Sequence, residues 1–347
     1  YFAALRKEIL MYRDLGYDFQ ALYIGGGTPT ILMDELAETI SLVCTHFKIG
    51  EISVETNPNH LTPRNLAVLK DIGVNRLSVG VQTFDDSLLK ALNRYHKYGS
   101  GRDIARRLQY AQGIFDTLNI DLMFNFPRQT LRMLESDLNT IISLAVDQVT
   151  YYPLMSSSQT QEKMQQDLGH LDYARGREFY LKLTDTLASH YTPTTAWCFS
   201  RSGKMIDEYA VRYEEYAGLG SGAIGHINGS AYANTFDIEG YIEKINAGIL
   251  PVAAKRDFSL RDRLCYDFLM KLFGLRLNLS SVNEKYGVNM SYELWPEILF
   301  FRLIRGLTKQ GDELQLTKYG QYYWLLMMRE FFIGVNNFRD YCRAQIH

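Results

Sequence analysis

The residues in this chain best able to do chemistry lie where short β-rich runs end. Gly25, Gly26, Gly27, Thr28, Pro29 and Thr30 follow directly on the run Ala21 to Ile24. Three glycines at the carboxyl end of a strand leave amides and carbonyls bare, so a ligand can approach the backbone closely. The spacing fits neither GxGxxG nor a P-loop, and Pro29 disfavours helical backbone at Thr28, so no helix amino terminus opens there to meet a pyrophosphate. An amine or an amino acid suits the turn better. An isolated triplet also serves as a tight turn with no ligand.

Polar residues close or occupy three further runs: Glu55 in EISVET, Gln82 in RLSVGVQ and Asp121 in LNIDLMF. Each alone reads equally as a satisfied core group. Gathered at one mouth, they suit a polar cofactor. Arg94, in LLKALNRYH, reads by itself as a surface helix-end arginine, but its guanidinium can also clamp a carboxylate. His96 nearby is open between base, ligand and surface residue.

These positions meet only if the runs are parallel strands. From Tyr1 to about Met155 short β-rich runs alternate with amphipathic helices, the pattern of βα units. Strands are expected at Ala21 to Ile24, Glu51 to Glu55, Arg76 to Val81, Leu118 to Met123 and Gln148 to Tyr152. Thr62 with Pro63 starts a helix and Gly73 stops it. In barrels of parallel strands the active site forms at the carboxyl ends, where the glycine triplet sits. The start YFAALRKEIL carries Phe2, Leu5, Ile9, Leu10 and Tyr12 at helical spacing and reads as the middle of a helix inside a domain.

The serine-rich MSSSQT at Met155 to Thr160 breaks the repeat, and a long helix is expected from about Tyr173 to Ser189. Residues 190–255, with the glycine-dense AGLGSGAIGHING, are too irregular for a plain βα unit and read as a cap or linker over the barrel mouth. From about Leu260 the pattern is helical, and two β-like pieces flank Gly311 and Asp312 as in a winged-helix module. The expected division is 1–155 barrel, 156–255 extension and cap, and 256–347 helical domain.

With 347 residues, 46% of them apolar, the chain can bury a large core, which excludes a disordered or collagen-like class. A net charge of −2 gives no global case for nucleic acid or an anionic membrane, and the carboxyl-terminal module has no basic stripe for phosphates. Small-molecule substrates are expected. No apolar run is long enough to span a bilayer and no signal peptide opens the chain, so a cytoplasmic protein is expected. Cys44, Cys198, Cys265 and Cys342 are too dispersed for a zinc knuckle or a disulfide framework and read as reduced thiols.

The ordered series YIGGGTPT, ISVETNP, NRLSVGVQTF, LNR, NIDLMFNFP and AGLGSGAIG resembles the oxygen-independent coproporphyrinogen III oxidase family of radical S-adenosylmethionine (SAM) enzymes over residues 1 to about 340. The resemblance implies an α/β fold, a partial (β/α)6 TIM-type barrel with a smaller carboxyl-terminal helical, winged-helix-like domain. It implies a [4Fe–4S] cluster that reduces SAM to methionine and a 5′-deoxyadenosyl radical. In the family the backbone at Gly26 and the carboxylate at Glu55 help hold that SAM, and Ile224 lines its adenine. The positions of Gly27, Thr28, Gln82, Arg94, Asp121 and Met155 surround a second SAM. An electron donor of the flavodoxin or ferredoxin type is implied as partner.

Three departures bear on the resemblance. The cluster motif CxxxCxxC is absent, and family spacing puts its cysteines, with the first strand, upstream of Tyr1. Asn125 stands in IDLMFNFP where the family has glycine. The haem-chaperone branch carries a His-Asn and Tyr-Trp pattern ahead of its glycine run, where this chain has RYEEYAGLG. The last two point to a divergent branch. The leading expectation is radical chemistry on a tetrapyrrole or related conjugated substrate, by oxidative decarboxylation. One alternative is a methyltransferase, cyclopropanase or haem-degrading enzyme using a second SAM. Another is a haem-binding or haem-transfer protein on the same fold, with His96 or His226 as axial ligand. Tyr151, Tyr152, Trp197, Phe199, Tyr213 and Tyr216 serve equally as walls for a macrocycle or as an aromatic core.

Overall fold

The computed structural model describes residues 1–202 and 212–345. It divides into two compact units, the first taking Tyr1–Leu154, Thr160–Pro193 and the strand that begins at Cys198. The second takes Met155–Gln159, Thr194–Trp197 and the later part of the chain.

Through Ser200 the order is α1 (Phe2–Asp14), β1 (Ala21–Ile24), α2 (Met33–His46), β2 (Glu51–Thr56), α3 (Pro63–Asp71), β3 (Arg76–Gln82), α4 (Asp86–Ala91), α5 (Tyr95–Tyr98), α6 (Gly101–Ala111), β4 (Thr117–Phe124), α7 (Leu131–Leu144), β5 (Gln148–Pro153), α8 (Ser158–Leu168), α9 (Tyr173–Leu187), β6 (Thr192–Pro193) and β7 (Cys198–Ser200). These strands form one sheet in the order β1-β2-β3-β4-β5-β7-β6. The first five are parallel, β7 is antiparallel to β5, and β6 is antiparallel to β7. All five expected strands are present. As the Thr-Pro signal requires, the Thr62 side chain accepts from the Asn65 amide at 3.2 Å, and Gly73 sits at φ +85°.

Alternation along each strand divides the sheet into two chemically different faces. Val54, Leu77, Val79, Val81, Leu118, Ile120, Leu122 and Val149 point to one face and are fully buried, as are the apolar stripes of the covering helices, among them Leu66, Ile104, Leu108, Leu134 and Leu138. Each such side chain contributes roughly 1.5–3 kcal/mol by leaving water. The other face is polar and carries the site.

The serine-rich break is shorter than its composition suggests. Ser158 already opens α8, because SQTQEKMQQDL is rich in Gln, Glu, Lys, Met and Leu, which lose little freedom in a helix. β6 and β7 are two and three residues long, too short to leave a readable period in sequence.

The second unit contains an antiparallel sheet of β8 (Ile224–Ile227), β9 (Ser230–Asn234) and β10 (Val252–Asp257), in the order β10-β9-β8, with α10 (Ile238–Asn246) between β9 and β10. The glycine-dense run is therefore more regular than it reads. Asn228 (φ +52°) and Gly229 (φ +68°) form the two-residue turn that joins β8 to β9. There follow α11 (Leu260–Phe273), β11 (Arg276–Asn278), α12 (Leu279–Tyr286), α13 (Met290–Glu293), α14 (Trp295–Leu303), β12 (Leu307–Gln310), β13 (Glu313–Leu316) and α15 (Lys318–Gln345), with a second small sheet ordered β11-β13-β12. The hairpin at Gly311 and Asp312 gives this part the winged-helix order expected. Among the described residues no helix is long and apolar enough to cross a membrane.

Candidate site at the strand ends

Parallel register aligns the polar face into rows. Glu55, Ser78, Asn119, Gln148 and Ser200 lie side by side across β2, β3, β4, β5 and β7. One step along β3 and β4 towards their carboxyl ends, Gly80, Asp121, Thr150 and Cys198 form the next row. Hydrogen bonds tie the rows together. The Ser78 hydroxyl donates to Asp121 at 2.7 Å, and the Asn119 amide donates to Asp121 and to Ser78, both at 2.8 Å. Thr150 donates to Asn119 at 3.1 Å. Nearer the amino ends, the Arg76 guanidinium donates to Gln148 at 2.9 and 3.1 Å and to Ser53 at 3.0 Å.

Burial along this face is graded. Arg76, Asn119, Gln148 and Thr150 are fully buried, whereas Glu55, Gly80, Gln82 and Asp121, nearer the carboxyl ends, are half-buried. The polar face is thus sealed at one end and open at the other. Buried polar groups must be paired, and this network does so by strand-to-strand bonding.

At that end the glycine triplet and Glu55 fit each other. A Cβ on Gly25 would lie 2.8 Å from the Glu55 carboxylate, so only glycine leaves room there. Gly26 (φ +86°) and Gly27 (φ +127°) hold backbone conformations that side chains resist, and both are exposed. The Tyr23 hydroxyl donates to Glu55. Next to it, the Asn57 amide donates to the Thr28 hydroxyl at 2.5 Å, and Thr30 and Thr56 share a buried hydrogen bond of 2.7 Å. An anionic carboxylate beside bare, exposed backbone is suited to the ammonium and carboxylate ends of an amino acid. A single 3-10 turn, Pro29–Ile31, follows, and α2 opens only after it.

Gln82 occupies a bulge. The β3–β4 register slips between Gly80 and Gln82, and Gln82 takes φ +75°. Such backbone costs about 1–3 kcal/mol and persists only where its surroundings hold it. Here the holder is Asp137 of α7, which accepts the Thr83 hydroxyl at 2.8 Å and the Phe84 amide at 2.9 Å. Burial pushes the Asp137 carboxyl up to about 7, against the two hydrogen bonds.

Arg94 leads into α5, donates to the Tyr98 hydroxyl at 2.9 Å and lies 5.5 Å from that ring; α5 itself packs against the Pro58–His60 turn that follows β2. Asn125 takes φ +66°, a left-handed conformation that asparagine tolerates better than most residues. Its side chain turns into packing, donating to the Asp172 carbonyl at 3.0 Å and accepting from Arg175 at 3.3 Å. Met155 and Ile224 belong to the second unit, both half-buried, Met155 just after β5 and Ile224 opening β8. His96 is exposed on α5, and His226 is buried in β8.

The comparisons with known proteins agree with this architecture. Residues 3–141 match the model of the Radical SAM superfamily. The chain is 31% identical to the heme chaperone HemW of Bacillus subtilis over 88% of this chain and 83% of that protein. The chain belongs to the radical SAM family of HemW and the oxygen-independent coproporphyrinogen III oxidases. It is 27% identical to such an oxidase from Pseudomonas aeruginosa, over 86% of this chain and 71% of that one. The coproporphyrinogen III oxidase HemN of Escherichia coli superposes with a TM-score of 0.79 at 21% identity, over 96% of this chain and 82% of that chain, so the fold is the radical SAM partial barrel.

A radical SAM fold implies SAM and a [4Fe–4S] cluster. The Glu55 carboxylate lying over bare Gly25, beside the exposed backbone of Gly26 and Gly27, has the chemistry to meet the amino-acid end of SAM. For the cluster, the described residues contain no group of three or more His, Cys, Asp or Glu placed to hold a metal; Cys44 and Cys265 are exposed, Cys198 and Cys342 buried.

Sequence reading missed Tyr23, Asn57, Ser78, Asn119 and Asp137. The first four were signalled by polar residues at every second position of β-rich runs. Asp137 had no signal, since a single carboxylate in an amphipathic helix reads as solvated.

Proposed function

We propose that this chain is a haem-handling member of its family, which binds haem and transfers it, on a body that holds SAM at the strand ends of the barrel. The observation that carries the reading is the likeness to HemW of Bacillus subtilis, named a heme chaperone, across most of both chains. Titration of the reduced protein with haem, followed at the Soret band, tests it. A saturable, shifted band is expected; a spectrum that stays that of free haem throughout would sink the proposal.

In this reading Gly26 and Glu55 take the amino-acid end of SAM. Gly27, Thr28, Gln82, Arg94 and Asp121 are the places for a second SAM. Bound SAM supplies, with a reduced cluster, a 5′-deoxyadenosyl radical; the residues here bind and orient it.

A second reading, a radical SAM enzyme acting on a tetrapyrrole, is favoured by the intact strand-end network of Glu55, Ser78, Asn119 and Asp121 and by the likeness to the Pseudomonas oxidase. Release of 5′-deoxyadenosine from SAM upon addition of a porphyrinogen supports it, and S-adenosylhomocysteine among the products indicates methyl transfer instead. SAM recovered intact under reducing conditions with a reconstituted cluster counts against both versions.

A further inference from the structure

Among the histidines the structure describes, His226 stands apart. It lies in β8 with 9% of its surface exposed. His60 is spent on the Thr30 carbonyl at 3.1 Å, His46 lies against Arg13 at 3.4 Å, and His96 is on the surface. The Nδ1 of His226 lies 3.2 Å from the backbone oxygen of Glu214. A carbonyl only accepts, so Nδ1 carries the proton and Nε2 of the neutral ring is a bare lone pair. That Nε2 is buried and, among the described residues, has no hydrogen-bond partner. Leaving such an acceptor dry and unpaired is unfavourable, so the fold holds it at a penalty that a ligand can offset.

The ring is also firmly oriented. The Tyr216 and His226 backbones form an antiparallel bridge, with both N–H···O distances at 2.9 Å. The Glu214 carboxylate is anchored by Lys271 at 2.8 Å and Lys285 at 3.1 Å, and Lys285 is in turn held by Asp267 at 3.1 Å. The carbonyl that fixes His226 is therefore itself fixed. An imidazole whose Nδ1–H is held by a backbone oxygen and whose Nε2 is bare is the arrangement in which histidine binds a metal.

Three rings surround it: Tyr266 at 4.7 Å, Phe258 at 5.5 Å and Tyr216 at 6.2 Å between centroids. All three are half-buried, so the cluster has a solvent side. Flat, apolar and partly wet, they match the face of a macrocycle. Phe258 has its amide on Gly229 at 2.9 Å and its carbonyl on Arg263 at 3.2 Å, so its backbone is held in place.

We infer that His226, through Nε2, is the axial ligand of a haem bound against Tyr216, Phe258 and Tyr266. The inference rests on the haem-handling reading and deepens it. Ligation forms one iron–nitrogen bond, displaces water from the iron and changes no oxidation state.

Haem titrations of wild type, His226→Gln and His226→Gly, with and without added imidazole, test it. Wild type is expected to give the spectrum of imidazole-ligated haem. Both variants should lose that signature and bind roughly tenfold more weakly or worse, equivalent to about 1.4 kcal/mol, and imidazole should restore the signature in His226→Gly. His190→Ala, an exposed change in the first unit, should match wild type. Phe258→Ala keeps His226 and removes one of the three rings the haem lies against, so it should bind haem more weakly with the imidazole signature intact; it keeps the test open if the His226 variants fold poorly. A wild-type spectrum in His226→Gln, or loss of the imidazole signature in Phe258→Ala with the chain still folded, overturns the inference and leaves the haem reading standing. A wild type that binds no haem overturns both.

Discussion

At the strand ends of the first unit, Glu55, Ser78, Asn119 and Asp121 sit on consecutive strands and meet because those strands are parallel and in register. Around His226 the neighbours Glu214, Phe258, Tyr266, Lys271 and Lys285 come from a loop, a strand end and two helices, and nothing in their spacing announces a meeting. The first site is fixed by a repeating backbone pattern, with side chains filling positions that the pattern dictates. The second is fixed by particular side chains holding one backbone carbonyl in place. A pattern-built site should tolerate loss of any one hydrogen bond better than loss of backbone space. A side-chain-built site should depend on single anchors.

The largest expected effect tests the one place where the first site relies on a single anchor. Asp137 holds the Gln82 turn from α7, and burial raises its carboxyl from 3.8 to about 7, with the negative charge of Asp85 contributing in the same direction. The buried Tyr151 hydroxyl, which has no hydrogen-bond partner among the described residues, is made harder to ionise by the same burial and by Asp137's charge. The folded pKa is raised, so the fold favours the protonated acid. This contribution to stability is full below about pH 4 and is lost as pH rises to about 7. A shift of about 3 units corresponds to about 4 kcal/mol. Asp137→Asn cannot ionise. Its unfolding free energy relative to wild type, read by far-UV circular dichroism in urea, should rise by up to about 4 kcal/mol between pH 4 and 7 and level off above. A difference flat across that range breaks the account of Asp137.

The second test uses a glycine of the second unit. A Cβ on Gly218 would lie 2.4 Å from the Ile224 carbonyl, backbone against backbone, at the start of β8. Gly218→Ala should destabilise this unit by about 3 kcal/mol, the upper range for overpacking. All three tryptophans, Trp197, Trp295 and Trp324, belong to the second unit, so their fluorescence in urea reports on it. An unchanged midpoint means that β8 can shift, and the anchoring assigned to His226 is then too rigid.

The matching change in the first unit is Gly25→Ala. Its Cβ meets the Glu55 carboxylate at 2.8 Å rather than backbone, so the side chain moves and the fold survives. The cost should appear in binding. SAM affinity measured by calorimetry should fall about thirtyfold, about 2 kcal/mol, with the unfolding midpoint near that of wild type. Unaltered affinity would remove Glu55 and Gly25 from the SAM site.

These differences also explain what was legible in the sequence. Five strands and their polar ends were readable because a parallel sheet leaves a period of two and turn residues at fixed places, as in RLSVGVQ followed by Thr83 and Phe84. The β8–β9 hairpin was hidden because its strands, IGHI and SAYAN, are short and mix Ile and Tyr with Gly, Ala and Ser, so neither leaves a clear period. Its Asn228-Gly229 turn was the available signal. The bare Nε2 of His226 was not readable, because it depends on the position of the Glu214 carbonyl, which is set by lysines 57 and 71 residues further along.

The smallest effect is expected at Asn125, where family resemblance calls for glycine and the chain departs from it. Asn125→Gly keeps the left-handed backbone at φ +66° without strain, so the turn after β4 should hold its shape. What it removes is the bond to the Asp172 carbonyl and the one from Arg175, and Arg175 retains the carbonyls of Phe126 at 2.8 Å and Pro127 at 3.2 Å. Two hydrogen bonds lost from one side chain, one of them long, give a net cost of about 1 kcal/mol in unfolding free energy. Asn125→Ala loses the same bonds and adds left-handed strain of roughly 1 kcal/mol more, so the two variants separate packing from backbone. Because the Asn125 side chain points at α9 and its amino-terminal cap rather than along the polar rows, SAM affinity in Asn125→Gly should equal that of wild type. A change in affinity there means that the asparagine has entered the pattern-built site, and the departure from the family residue would then be functional and not a matter of packing.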